Sequence, residues 1–188
     1  MDFTIENYIK QHNLVIQNLD HNEINSAINI IKNTIKEEKR VAVCGNGGSA
    51  VAASHYITDW NKMVYSHTGS KFNGICLSDN IGLITAYSND LSYDEVFSEQ
   101  VKNLLNSGDL LITLSGSGNS ENVVKATLTA KEMHVNTLAI CGYDGGKLKE
   151  VSDHSVWIRS NDMQLCEDAH TVFGHMVMKS LCGEDLFV

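Results

Sequence analysis

Residues 41–50 read VAVCGNGGSA. Four apolar residues, Val41–Cys44, run into the loop Gly45-Asn46-Gly47-Gly48-Ser49-Ala50 and then directly into a helical stretch. A short apolar run that ends in glycines before a helix is the pattern of a buried strand feeding a crossover helix. The pattern recurs outward from this point. Gly74–Leu77, Leu110–Leu114, Thr137–Cys141 and Ser155–Ile158 are apolar runs of four or five residues, each separated from the next by enough chain for a helix. The alternation predicts an α/β three-layer sandwich with a five-stranded parallel sheet. Upstream, Ile5, Tyr8 and Ile9, then Ile24, Ala27, Ile28, Ile31 and Ile35, recur at helical spacing. They predict two helices over residues 2–38, with Asp20 capping the second. Residues Leu165 to Leu181 predict a last helix with no strand after it.

The composition narrows the function classes. The 188 residues carry a formal net charge of -9 and 43% hydrophobic residues. This is the balance of a globular chain and not of a disordered one. The acidic balance argues against a nucleic-acid surface, which requires a basic patch. No apolar run approaches the ~20 residues needed to span a bilayer, so no membrane partner is expected. The start, MDFTIENYIKQHN, lacks a basic region followed by an apolar stretch, so a cytoplasmic location is expected. Five widely spaced cysteines without a CxxC fit reduced, buried thiols.

Two loops carry the chemistry. Gly45–Ala50 follows the first strand, and Ser115-Gly116-Ser117-Gly118-Asn119-Ser120 follows the third. Glycine admits a ligand close to backbone N–H groups, the following helix N-terminus favours an anion, and serine hydroxyls donate to phosphate oxygens. Neither loop has the spacing of a dinucleotide fingerprint or a P-loop. In an open parallel sheet, ligands bind beyond the carboxyl ends of the strands, where the strand order switches. The pair of loops therefore predicts a small phosphorylated ligand. Histidines and carboxylates form a second group. His55 and Asp59 stand four residues apart, on one face of a helix, and Glu167, His170 and His175 lie in the last helical segment. Such a set is either a zinc site, an acid–base set, or a group of half-buried structural histidines.

GNGGSA after the first strand, LSDNIGLITAYSND after the second and LSGSGNSENVVKA after the third resemble the sugar isomerase (SIS) domain, and within it the bacterial phosphoheptose isomerases. The resemblance continues through CGYDGGKLKEVSDHSVWI to CEDAHTVFGHMV and covers nearly the whole chain. It implies a single flavodoxin-like SIS domain over residues 1–188, with a helical extension over 1–38 and the α/β core over 39–188. It implies an aldose–ketose isomerase acting on sedoheptulose 7-phosphate or a related sugar phosphate. The alternative in the same family is a non-enzymatic sugar-phosphate-binding regulator or adaptor, and a weaker one is an enzyme of aminosugar phosphates.

The resemblance also implies residue roles. Ser115, Gly116, Ser117 and Ser120 would bind the phosphate. Asn46, Gly47, Gly48, Ser49, Asp79, Asn80 and Glu167 would line the substrate site. His55, Asp59, Glu167 and His175 would hold zinc, with Asp59 as catalytic base and His175 as acid. Glu167 and His175 are eight residues apart, ~12 Å along a straight helix, so either the helix starts irregularly near Glu167 or the site is shared between chains; the resemblance implies a homotetramer with shared sites. The chain departs from the family pattern at Ala52, Asp59, Met63, Gly116, Gln164 and Glu167, where the family has Asp, Glu, Arg, Thr, an acidic residue in some members, and Gln.

Overall fold

A computed structural model describes residues 3–183. Two helices come first, α1 (Ile5–Gln17) and α2 (His21–Lys36). Thr4 and Asp20 cap them: their side-chain oxygens accept from the backbone N–H of Asn7 and of Asn22 and Glu23. These bonds satisfy donors that the first turn leaves unpaired. The chain then alternates: β1 (Val41–Gly45), α3 (Gly48–Thr68), β2 (Gly74–Cys76), α4 (Ile81–Asp90), a 3₁₀ turn (Tyr93–Glu95) and α5 (Ser98–Leu104). It continues through β3 (Leu110–Ser115), α6 (Glu121–Glu132), β4 (Asn136–Cys141), α7 (Gly146–Val151), β5 (His154–Trp157) and α8 (Met163–Cys182).

All five predicted strands are present, within two residues at each end. The sheet order is β2-β1-β3-β4-β5 and every pairing is parallel. The order reverses direction between β1 and β3, so the loops after these two strands face each other at the carboxyl edge.

Period-two alternation splits the strands between two cores. Val41, Val43, Leu110, Ile112 and Leu114 pack with α2, α3 and α8, whereas Ala42, Cys44 and Leu111 pack with α5 and α6. Strands buried on both faces explain the near-continuous apolar runs. On the first face α3 and α8 lie side by side, both starting at the carboxyl edge. The Tyr56 hydroxyl donates to the His170 carbonyl, and Trp60 Nε1 donates to the Gly174 carbonyl at 3.0 Å. Gly174 permits this approach, since a Cβ there would lie 2.3 Å from Tyr56 Cε1. These bonds fix the sliding register of the two helices, and the register positions the site.

Candidate active site

The loop after β3 is shaped by its own backbone. Ser115 Oγ accepts from Gly118 N–H at 3.1 Å and Ser117 Oγ accepts from Asn119 N–H at 3.2 Å. Gly118 has φ +68°, and a Cβ there would stand 2.1 Å from the Gly145 carbonyl oxygen, so only glycine fits. The first turn of α7 locks it from the far side: Leu148 N–H donates to the Gly118 carbonyl and Lys147 N–H to Asn119 Oδ1. Ser120 is the N-cap residue of α6, yet its side chain makes no capping bond. Its hydroxyl and the first N–H groups of α6 are donors of the kind that suit an anion.

The loop after β1 completes a cavity of about 240 Å³. Asn46, Gly47, Gly48, Ser49, Ser115, Gly116, Ser117, Ser120 and Glu167 all line it, together with Leu114 and Met163. Sequence reading missed Met163. A Cβ at residue 116 would lie 2.3 Å from Met163 Sδ, so the methionine fills the volume that a side chain at 116 would need. Nothing in the sequence alone couples position 116 to position 163.

Asp79 and Asn80 stand apart from this cavity. Asp79 lines a shallow depression with Ser54, His55, Thr58 and Ser78. Asn80 Oδ1 accepts from Leu83 N–H at 3.1 Å and caps α4.

His55, Asp59 and His175 form one cluster on the outer seam of α3 and α8. The two Nε2 atoms are 2.9 Å apart, and Asp59 Oδ2 is 3.5 Å from His55 Nε2 and 3.8 Å from His175 Nε2. One ligating atom from each lies within 4.8 Å of the others. All three side chains remain partly exposed. Two imidazole nitrogens and one carboxylate oxygen are a donor set that suits a divalent metal, with positions left open for other ligands. The same atoms also suit proton transfer, because a neutral imidazole pair has one ring donating and one accepting.

Glu167 does not join this cluster within the chain. The helix α8 is regular from Met163, so Glu167 and His175 stay two turns apart. The Glu167 carboxylate instead lies against Gly48 at the start of α3, where a Cβ would come within 2.3 Å of Oε1. His170 is also separate: it is fully buried, and neither ring nitrogen has a hydrogen-bond partner among the described residues. Burial pushes its pKa down to about 4, which makes it a neutral core residue at pH 7.

A family model for the SIS domain matches residues 7–142. Phosphoheptose isomerase of Aliarcobacter butzleri is 35% identical over 161 residues, covering 86% of this chain and 85% of that protein. This chain belongs to the SIS-domain family, in its phosphoheptose isomerase branch. The probable phosphoheptose isomerase of Thermoplasma volcanium is 34% identical and covers 92% of this chain and 88% of its own. Phosphoheptose isomerase GmhA of Neisseria gonorrhoeae has the same fold, with a TM-score of 0.88 at 25% identity over 94% of this chain and 96% of that one. The shared SIS fold accounts for the layers and the parallel sheet.

Proposed function

We infer that this protein is a phosphoheptose isomerase that interconverts sedoheptulose 7-phosphate and the corresponding aldose phosphate, supplying heptose precursors. The observation that carries the reading is one seam with two stations. The anion cavity sits at the start of α3 and α8, and the His55–Asp59–His175 cluster sits two helical turns further along. The span is ~10–12 Å, of the order of an extended seven-carbon sugar phosphate.

The reaction moves a proton between the two carbons that make up the enediol, while a second proton passes between their oxygens, lost from the hydroxyl that becomes the carbonyl and gained by the carbonyl that becomes the hydroxyl. The phosphate is held by Ser115, Ser117 and Ser120 and the N-terminus of α6, which fixes the far end of the sugar. Asp59 removes the proton next to the carbonyl and returns it to the neighbouring carbon. His175 Nε2 donates to the ring oxygen as the cyclic sugar opens. His55, 2.9 Å from His175, orients that ring. Zinc is the metal proposed for His55, Asp59 and His175; held there it would occupy the imidazole nitrogens and would supply a Lewis acid for the carbonyl and diol oxygens in place of the His175 proton donor.

A homotetramer is part of the proposal. No residue of α1 is buried, and Phe3, Ile5, Ile9 and Leu14 are exposed, as are Ile81 and, in the depression that His55 lines, Val51. A neighbouring subunit would cover them and bring a second Glu167 toward the seam. A monomer in light scattering at micromolar concentration would remove the shared-site proposal.

The test of function is isotopic. The protein is incubated in D₂O with a panel of ketose and aldose phosphates, and deuterium at C1 and C2 is followed by NMR. Exchange with interconversion of heptose phosphates is the expected result. A folded protein that exchanges none of them is not an isomerase.

A further inference from the structure

We propose that Tyr93 and Asn122 are positioning residues that hold the Asn46 amide with an N–H facing the anion cavity. The proposal rests on the reading that this cavity takes a phosphorylated sugar. It starts from one group whose role is fixed. The Val123 backbone N–H can only donate, and it donates to Asn122 Oδ1 at 3.0 Å. That bond sets which end of the Asn122 amide is the carbonyl. Asn122 is buried, so it has no solvent alternative. Its Nδ2 then donates to Asn46 Oδ1 at 2.9 Å, and its Oδ1 accepts from Asn46 Nδ2 at 2.8 Å. The two amides close a reciprocal ring between the loop after β1 and the first turn of α6.

Tyr93 completes the arrangement. Its hydroxyl donates to Asn46 Oδ1 at 2.8 Å. Asn46 Oδ1 now accepts two bonds, and Asn46 Nδ2 spends one of its two donors on Asn122. The second N–H has no partner among the described residues, and Asn46 lines the cavity with Ser49, Ser115, Ser117 and Ser120. A flipped Asn46 would turn its carbonyl toward the anion and oppose two NH₂ groups. The network forbids that flip, so the cavity gains a donor where an acceptor would repel phosphate.

Tyr93 reaches Asn46 from a segment outside both glycine loops. The 3₁₀ turn that carries it is docked on α6 by the Lys125–Glu95 ion pair at 2.8 Å, and Glu95 is further held by the Ser98 hydroxyl at 2.6 Å. Asn122 and Lys125 are three residues apart on α6, so one helical face orders both the amide ring and the turn.

The test is a double-mutant cycle on the full chain with inorganic phosphate and sedoheptulose 7-phosphate as probes. Tyr93→Phe keeps the exposed ring and removes the donor. It is expected to raise the Kd for phosphate and the KM roughly 3–10-fold with kcat within about twofold. In an Asn46→Ala background the same substitution is expected to change neither, because Tyr93 acts through Asn46. Asn122→Ala should weaken phosphate binding more than Tyr93→Phe, and an unfolded Asn122→Ala leaves the Tyr93 cycle decisive. Wild-type binding in Tyr93→Phe, or an undiminished effect in the Asn46→Ala background, overturns the proposal. Phosphate binding separates this from the isomerase reading: a protein that shows the cycle but no turnover fails only the latter. One that binds neither probe fails both.

Discussion

His55 and His175, 120 residues apart in the chain, meet Nε2 to Nε2 at 2.9 Å across the α3–α8 seam, with the Asp59 carboxylate against both. The contact follows from the bonds that Tyr56 and Trp60 make to the α8 backbone. A slip of one turn, ~5.4 Å, would separate the rings.

Asp59→Asn tests the base. The amide is isosteric and cannot take a proton. Turnover is expected to fall by at least ~10²-fold while KM changes little, the signature of an interaction used in the transition state. Steady-state kinetics on the best substrate decide it, and normal turnover by a folded variant ends the assignment of Asp59.

Metal binding has a readout independent of activity. A ligand that binds only the folded state stabilises it by about 2.7 kcal/mol at a hundredfold excess over Kd. Zinc should therefore raise the Tm of the wild type by several degrees, and a chelator should reverse the shift. His55→Ala and His175→Ala should each abolish the response. A shift that survives both substitutions places the metal elsewhere.

Glu167 puts a carboxylate beside the anion cavity, against Gly48. Like charges at that range repel, and removing one favours the phosphate. Glu167→Gln is expected to bind sugar phosphate roughly 3–10-fold tighter. Isothermal titration at fixed pH and salt measures it; equal or weaker binding would mean that the carboxylate does not face the ligand.

Gly116 and Met163 share one volume. Gly116→Thr should destabilise the fold by at most about 1 kcal/mol, because the Met163 thioether that a Cβ at 116 would meet is the far end of a flexible side chain and can swing aside. Adding Met163→Ala should recover much of the loss. Chemical denaturation of the two single variants and the double variant gives the coupling, and strict additivity would refute the shared volume.

His170 links stability to pH. Burial holds its folded pKa at about 4 against an ordinary value of 6.5. Between these values the unfolded chain binds the extra proton and the folded chain does not. Stability is full above about pH 6.5 and falls by roughly 2–3 kcal/mol as pH drops toward 4. Urea denaturation at pH 7 and pH 5 should show a smaller difference for His170→Leu than for the wild type. Identical pH slopes would count against the burial argument.

The sequence by itself determined the layers, the strand set and the two glycine- and serine-rich loops that line the cavity. Strands buried on both faces leave apolar runs, and loops that approach a ligand leave glycines and serines, so both signals are local. The i, i+4 spacing of His55 and Asp59 is local too, and it alone places them on one helix face. What only the tertiary structure decided is how distant segments meet. The sliding register of α3 against α8 brings His175 to His55 and leaves Glu167 two turns away, at the cavity between the glycine loops. That register is set by Tyr56, Trp60 and the missing side chain of Gly174. The docking of the 3₁₀ turn on α6 delivers Tyr93 to Asn46, and the packing of α8 under the β3 loop sets Met163 against Gly116. None of these leaves a periodicity, because each depends on complementary shape between residues far apart in the chain.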